Sequence, residues 1–239
     1  MTVVDGGFWC IVPAAGRGTR FGSDLPKQYV EMAGKPLLQW TLERLLSHPR
    51  IAGVVVVLAV ADRHWTKPAA SNGKPVLTVV GGAERSDSVL AGLHALPQGV
   101  AGDAFVLVHD AARPCVRLAD IDALITLGCE AGGALLAAPV RDTLKRSDES
   151  CRVIATEARE SRWRALTPQM FRRAELIAAL EASRQAGVVV SDEAMAMERA
   201  GFSPLLVEGS EDNVKVTTRA DLAFAEFLLL RDPGMGNGE

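Results

Sequence analysis

Apolar positions along the chain follow two alternating patterns. Short runs of apolar or β-branched residues predict buried strands of a parallel sheet, since strands covered on both faces are apolar throughout. These runs lie at 8–13, 54–60, 76–80, 104–110 and 133–140. Segments with apolar residues at helical spacing lie at 35–48, 88–96 and 118–131, and Pro36 suits the first helical position of the first of them. Alternation of strand and helix predicts a Rossmann-like three-layer α/β fold with a mostly parallel, mixed central sheet.

The last third of the chain interrupts this alternation. Residues 141–168 are charged and rich in Arg and Thr, and "RSDES" suits a hairpin turn, so we interpret about 141–164 as a protruding β-arm. A disordered surface insertion is the alternative. The remaining predicted elements are helices at 172–186, after Ser191-Asp192-Glu193 and from about 218, and strands near 204–208 and 213–217. No linker divides the chain, so we expect one domain over residues 1–239.

Charge and composition exclude several classes of protein. The chain has 26 Lys and Arg against 29 Asp and Glu, a net charge of −3, which argues against a nucleic-acid partner. Any anion site must therefore use a few placed cations. The apolar runs are too short for a membrane span, and no signal peptide opens the sequence. The four cysteines form no CxxC pair, so a zinc site is not expected and a reduced cytoplasm is the default location.

The loop after the first strand has the composition of a phosphate cradle. Ala14, Ala15 and Gly16 let backbone N–H groups approach an anion closely, and Arg20 and Lys27 supply positive charge. The loop is not a GxxxxGK[ST] loop, and it departs from GxGxxG at its third glycine, where the chain has Phe. A glycine turn with solvated charges is the simpler alternative.

Several motifs carry a resemblance to a known family. In chain order they are "PAAGRGTRF", "PKQY", "GKPLL", "GGAERSDSV", "VHDAARP", "ALTPQMF", "DEAMAME" and "VEGSEDNVKVT". Together they resemble the 2-C-methyl-D-erythritol 4-phosphate cytidylyltransferase family of nucleotidyltransferases, over about residues 8–230. The resemblance implies that a substrate phosphate attacks the α-phosphorus of CTP and releases pyrophosphate. Such a nucleophile is already an anion and needs no general base, which agrees with histidines that lack a triad-like context.

The resemblance assigns roles on the CTP side. Arg20 and Lys27 match the catalytic cations on the CTP phosphates, beside the cradle residues. Gly82, Ala83 and Ser88 match the turn that reads the cytosine edge, although the family commonly has Asp at position 83. If only the backbone of that position acts, the change has no effect on base selectivity. Ser88 as a helix N-cap with a solvated Arg85 is the alternative.

Asp110 ends a buried strand, where a carboxylate is costly unless it holds a metal or a cation. The resemblance makes Asp110 the ligand of Mg²⁺, which would bridge CTP phosphate oxygens. Arg113 lies one short turn later, where we expect it to touch substrate phosphate or to brace the site, and Ala111 is a further expected binding residue. A helix-capping role for Asp110 is the alternative.

The acceptor side follows the same resemblance. Arg159, Thr167, Ser191 and Lys215 match positions used for methylerythritol phosphate, with Arg159 and Lys215 as catalytic cations and Thr143 as a further contact. Position 191 is commonly Thr in the family, and Ser retains the hydroxyl; a helix N-cap is the other role open to Ser191. In the family the arm crosses to a second subunit, so a homodimer is implied in which Arg159 serves the partner's site.

Three competing functions remain to be compared. A ribitol 5-phosphate cytidylyltransferase would share the CTP half, and only the acceptor residues discriminate against it. A nucleotide-binding regulator with a dead site predicts loss of Arg20, Lys27 or Asp110, all of which are present. A Rossmann oxidoreductase disagrees with the missing third glycine and the cationic loop.

Overall fold

The computed structural model describes residues 7–16 and 25–231, which form an α/β fold around a mixed sheet. The strands are β1 Phe8–Pro13, β2 Glu31–Met32, β3 Lys35–Pro36, β4 Ile51–Leu58, β5 Val76–Val80, β6 Phe105–Val108, β7 Ala134–Pro139, β8 Leu144–Ser147, β9 Val153–Glu157, β10 Trp163–Arg172 and β11 Leu205–Glu208. The helices are α1 Leu37–Ser47, α2 Arg85–His94, α3 Leu118–Ala131, α4 Arg173–Gln185, α5 Glu193–Arg199 and α6 Arg219–Arg231, and a 3-10 turn covers Lys27–Tyr29. None of these helices is both long and apolar enough to cross a membrane.

The central sheet has seven strands in the order β11-β7-β10-β6-β1-β4-β5. β10 is antiparallel to β6 and β7, and the other neighbouring pairs are parallel. The predicted mostly parallel, mixed sheet is therefore confirmed. From β1 the chain adds β4 and β5 on one side and then returns to add β6 on the other side. The loops that follow β1 and β6 consequently diverge at the centre of the sheet, the place where open α/β sheets bind ligands.

Helices cover both faces of this sheet and form a hydrophobic core on each face. Successive residues of a strand point alternately into one core and the other. Cys10 and Val12 of β1 face α1 and α3, whereas Ile11 between them faces α2, α4 and α5. Both faces of β1 are thus withdrawn from water, which is why the run 8–13 contains no charged residue. A third, smaller cluster packs α6 against the β2–β3 hairpin and the segment around Val216.

The strand β10 was missed by the sequence analysis. Its buried half contains Pro168 and Gln169, and a proline inside a run argues against a central strand. In the structure, the register of β10 against β7 is irregular between Ala165 and Gln169, so Pro168 lies where the β7 ladder is interrupted. Charged residues also precede Pro168, so the sequence did not indicate this strand, which lies between two buried neighbours.

Two other predictions about elements need correction. Residues 213–217 join no ladder, so the strand predicted there is wrong; Val216 N–H instead donates to Ala112 O over 2.8 Å. Helix α2 begins at Arg85 rather than at position 88, because Glu84 and Asp87 form a capping box that starts it earlier. Pro36 lies just before the first residue of α1, one position earlier than expected.

The segment predicted as an arm contains a β-hairpin. Strands β8 and β9 pair antiparallel, and Asp148 N–H donates to Arg152 O across the turn over 3.0 Å. Two apolar residues of β9 are exposed, Val153 at 64% and Ile154 at 55%. The hairpin therefore carries apolar surface that the described part of this single chain does not cover.

Close packing of α2 on the sheet gives a testable prediction about Gly92. A Cβ at this position would lie 2.5 Å from Cγ2 of Ile11 and 3.0 Å from Cγ2 of Val57. Gly→Ala in a helix is normally favourable by about 1 kcal/mol, but overpacking costs about 1–3 kcal/mol. We expect Gly92→Ala to lower the free energy of unfolding in urea.

Gly128→Ala in α3 is the matched control for Gly92→Ala. Its nearest contact would be the flexible Cε end of Met170, at 2.7 Å, which can move aside at lower cost. An equal or smaller loss of stability in Gly92→Ala would contradict rigid packing of α2 on β1.

Candidate active site

A pocket of about 200 Å³ opens at the carboxyl ends of β1 and β6. Ten of the site residues predicted from the sequence line it: Ala14, Ala15, Gly16, Lys27, Gly82, Ala83, Ser88, Asp110, Ala111 and Lys215. They come from four separate loops, which the topology of the sheet brings to one edge. Pro13, Gln28, Glu84, Arg85 and Ala112 complete the lining.

The loop after β1 forms one wall of the pocket. Hydrogen bonds to the backbone of Ala14 hold it in place. Ala14 N–H donates to Val57 O over 2.8 Å, and the buried Gln28 amide donates to Ala14 O over 2.7 Å. Gln28 belongs to the same 3-10 turn as Lys27, so this bond fixes the turn against the cradle. Lys27 Nζ donates to Val216 O over 3.1 Å, which places this cation beside the segment that carries Lys215.

The turn after β5 forms the opposite wall and depends on its two glycines. A Cβ at Gly81 would lie 2.5 Å from Ser88 Oγ, and one at Gly82 would lie 2.4 Å from Asp87 Cβ. The backbone therefore lies directly on the first turns of α2, with its peptide groups available to the pocket. The N-cap of α2 is Glu84, so the alternative of Ser88 as N-cap is wrong; Ser88 Oγ donates to Glu84 O over 3.2 Å.

Three cationic side chains in the site converge on the carboxylate of Asp110. Its carboxylate oxygens lie 3.2 Å from Arg85 Nη2, 2.9 Å from Lys215 Nζ and 3.5 Å from Arg113 Nε. Burial by itself raises the pKa of this carboxyl, but the charges of Arg85, Lys215 and Arg113 outweigh it and hold the pKa well below its usual range. Asp110 is consequently ionised, and it does not cap a helix.

Arg85 and Glu193 are site residues that the sequence analysis missed. Arg85 was considered a solvated cation, but its guanidinium contacts Asp110 on one side and Glu193 on the other, with Nη1 at 2.5 Å from Glu193 Oε1. Glu193 is the first residue of α5, far away in the sequence. Local patterns give no signal for such a pair, since the two residues are 108 positions apart in the sequence.

A hydrogen-bond chain through Thr167 and His109 holds the backbone of Asp110. Asp110 N–H donates to Thr167 Oγ1 over 3.0 Å, and the same hydroxyl lies 3.0 Å from His109 Nδ1. Burial lowers the pKa of His109 to about 4, so the ring is neutral. Its Nε2 lies 3.0 Å from Arg113 O, which can only accept, and Nδ1 therefore accepts the proton of the Thr167 hydroxyl.

Four predicted site residues are not among those that line the pocket or contact Asp110 in the described part of the chain. Arg20 falls outside the described residues. Ser191 is exposed, and the N-cap of α5 is Asp192, which accepts from Met195 N–H, so the N-cap role considered for Ser191 is wrong. Thr143 and Arg159 are exposed near the hairpin and do not line the pocket; Arg159 Nη1 donates to Arg141 O.

The hydroxyl of Thr167 provides a prediction about stability. Thr167→Val leaves the buried Asp110 N–H and His109 Nδ1 without this partner, and an unsatisfied buried polar group costs about 1–3 kcal/mol. We expect urea unfolding to show a loss of at least that size. Thr167→Ser retains the hydroxyl and lacks only the methyl group, so it should lose less; a loss in Thr167→Val no larger than that in Thr167→Ser would contradict the importance of these hydrogen bonds.

Comparisons with known proteins lead to one family. The family model for 2-C-methyl-D-erythritol 4-phosphate cytidylyltransferase (IspD) matches residues 8–231. The curated protein of that name from Xanthomonas campestris pv. campestris is 59% identical over 236 residues, which cover 98% of this chain and 89% of the relative. A crystal structure of 4-diphosphocytidyl-2C-methyl-D-erythritol synthase aligns with a TM-score of 0.81 at 32% identity, covering 94% of this chain and all of the other.

A second solved structure leads to the same family. The Francisella tularensis 2-C-methyl-D-erythritol 4-phosphate cytidylyltransferase has a TM-score of 0.80 at 32% identity, and the alignment covers 93% of this chain and 99% of that one. The family model covers nearly the whole chain, and the relative's identity is well above 30%. The chain therefore belongs to the 2-C-methyl-D-erythritol 4-phosphate cytidylyltransferase family.

Proposed function

We propose that the chain is a cytidylyltransferase that joins CTP and 2-C-methyl-D-erythritol 4-phosphate to give 4-diphosphocytidyl-2-C-methyl-D-erythritol and pyrophosphate. The observation that carries this proposal is the pocket in which Lys215 and Arg85 pair with the ionised Asp110 and which Lys27 also lines, in a chain of this family. The acceptor phosphate attacks the α-phosphorus of CTP in line, and pyrophosphate leaves. The P–O bond to the acceptor forms as the P–O bond to pyrophosphate breaks.

The composition of the pocket suits a reaction between two anions. No histidine is among the residues that line it, and the nearby His109 is buried, neutral and bonded at both ring nitrogens. A phosphate nucleophile needs no general base, so the protein's task is to position the two anions and to stabilise the charge of the transition state. Lys27, with Arg20, binds the triphosphate beside the amides of Ala14, Ala15 and Gly16.

The base and the acceptor occupy different walls of the site in this proposal. Backbone groups of Gly82 and Ala83, with Ser88, read the cytosine edge, so the absence of Asp at position 83 does not remove a contact. Lys215 neutralises the acceptor phosphate; its side chain is 42% exposed and can turn from Asp110 towards the pocket. Thr167, Ser191 and Arg113 contribute on the acceptor side, and Ala111 borders the nucleotide.

Asp110 has the chemistry of a Mg²⁺ ligand. Within the described residues no group of three or more His, Cys, Asp or Glu could hold a metal by itself. Mg²⁺ commonly binds through one or two carboxylates and completes its shell with substrate phosphates and water, which a single Asp110 at the pocket satisfies. When bound, the ion would neutralise charge on the phosphate oxygens of CTP.

Activity of the purified chain with CTP, Mg²⁺ and methylerythritol phosphate tests the proposed function, with pyrophosphate release as the signal. Ribitol 5-phosphate is the competing acceptor, and the names of the relatives do not favour it. Turnover of ribitol 5-phosphate alone would reverse the choice of acceptor, and no turnover of either compound would reject the proposal.

Lys27→Ala should abolish most of this activity without unfolding the protein. Removing one charge-stabilising group from a transition state costs about 10²–10³ in kcat. The hydrogen bond of Lys27 to Val216 O contributes much less to folding, since a typical hydrogen bond adds about 0.5–1.5 kcal/mol to stability. Pyrophosphate release at the parental rate by a folded variant would remove Lys27 from the catalytic group.

We further propose a homodimer in which the β8–β9 hairpin reaches the partner. The exposed Val153 and Ile154 of β9 support it, since they are apolar surface that contact with a partner would cover. Arg159 lies near the base of this hairpin and does not line its own chain's pocket, so in the dimer it would serve the partner's site, with Thr143.

Mixed dimers test whether Arg159 serves the partner's site. We expect Arg159→Ala and Lys27→Ala chains to be inactive separately, because each homodimer lacks one cation in both sites. When the two are mixed, every mixed dimer regains one intact site, so activity should return. No recovery, with mixed dimers demonstrated by tags on the two chains, would assign Arg159 to its own chain's site.

A further inference from the structure

We infer that Arg85 is a positioning residue that fixes the carboxylate of Asp110 through a buried partner, Glu193, so that one Asp110 oxygen is presented to the pocket. This inference rests on the proposed function, because it assigns to Arg85 the orientation of the carboxylate that would hold the metal. Arg85 does not need to touch either substrate in this role.

The guanidinium of Arg85 is bonded on two sides. Towards Glu193 it makes a bidentate pair, with Nη1 at 2.5 Å from Oε1 and Nη2 at 3.0 Å from Oε2. Towards Asp110, Nε lies 3.4 Å and Nη2 lies 3.2 Å from Oδ1. Arginine carries its donors along two edges of one rigid plane, which the single ammonium group of a lysine cannot reproduce.

Glu193 explains why Arg85 keeps this orientation. The side chain of Glu193 is 1% exposed, and its ion pair recorded in the described part of the chain is the one with Arg85. A carboxylate withdrawn from water is costly unless it is paired and hydrogen-bonded. Arg85 is therefore bound on the Glu193 side whatever occupies the pocket, and its remaining donors stay directed at Asp110.

The two oxygens of Asp110 consequently have different surroundings. Oδ1 is held by Arg85, whereas Oδ2 faces Lys215 Nζ at 2.9 Å and Arg113 Nε at 3.5 Å. Lys215 is half exposed and has a flexible stem, while Arg113 is buried and donates from Nη1 to Asn213 O over 2.6 Å. When Lys215 turns to an acceptor phosphate, Oδ2 loses its shortest ion pair and keeps the longer contact with Arg113, while Arg85 holds Oδ1 and prevents the carboxylate from rotating.

Direct metal binding tests this role with a signal other than activity. Mn²⁺ replaces Mg²⁺, and electron paramagnetic resonance measures its binding to the protein in the presence of CTP. Loss of a group that orients a metal ligand typically weakens metal affinity by about 10–100-fold. We expect Arg85→Lys to weaken Mn²⁺ binding by about that factor, because lysine cannot bond both carboxylates at once.

Arg173→Lys is the matched control for this exchange. Arg173 is also the first residue of its helix, α4, and its partly buried side chain donates to Val100 O over 2.6 Å, away from the pocket. It should bind Mn²⁺ with the parental affinity. Parental affinity in Arg85→Lys as well would overturn the inference.

A double substitution separates positioning from a purely structural role. Arg85→Met alone leaves Glu193 buried without its partner, and we expect it to be destabilised. Arg85→Met with Glu193→Met removes both charges, and such exchanges are often neutral or favourable for stability. Positioning predicts that the double variant regains thermal stability but not Mn²⁺ affinity; recovery of both would show that Arg85 only supports the fold.

The same experiment distinguishes this inference from the proposed function. If the parental chain does not bind Mn²⁺ with CTP, the metal role of Asp110 is wrong and the inference fails with it. If the parental chain and Arg85→Lys bind Mn²⁺ equally, only the role of Arg85 is wrong, and the cytidylyltransferase proposal remains.

Discussion

The ionised carboxylate of Asp110 is the constraint on which the site depends. Three cationic side chains, Arg85, Arg113 and Lys215, meet at this one group, and without its negative charge they would repel one another. Burial opposes ionisation, but the three neighbouring charges lower the pKa of Asp110 enough to keep it charged. The protein thus concentrates positive charge at one pocket although its net charge is −3. A triphosphate needs such a local concentration of charge and not a basic surface.

The architecture of the sheet explains why these groups meet. β1 and β6 are parallel neighbours at the centre, and the chain leaves them in different directions, so the loops after them open a crevice. The capping box of Glu84 and Asp87 starts α2 early enough to place Arg85 in that crevice. Thr167 of the antiparallel β10 then fixes the backbone of Asp110 from below. Local capping, strand order and one central antiparallel strand each position a different part of the site.

Much of this arrangement could be predicted from the sequence. The all-apolar run 8–13 and the small residues that follow it predicted a buried strand and a loop at its carboxyl end, and the structure contains both. Such features depend on residues close together in the chain. The small residues of this loop and the residues that the family resemblance added include ten that do line one pocket.

Other features depended on contacts that no local pattern records. β10 was hidden by Pro168, which is tolerated only because the ladder to β7 is irregular at that point. The segment around Lys215 was mistaken for a strand, since its alternation reflects contacts with Ala112 and Asp110 and not a ladder. The Arg85–Glu193 pair joins the first turns of two helices that are distant in sequence. Polar contacts between segments that are distant in sequence are therefore the part of the site that could not be predicted from the sequence.

A crystal structure of the protein with CTP and Mg²⁺ tests the central claim most directly. We predict that the triphosphate lies between the Ala14–Gly16 loop and Lys27, that the ion binds a carboxylate oxygen of Asp110, and that Arg85 remains on the other oxygen. A nucleotide bound away from this pocket, or an ion that makes no contact with Asp110, would contradict the account.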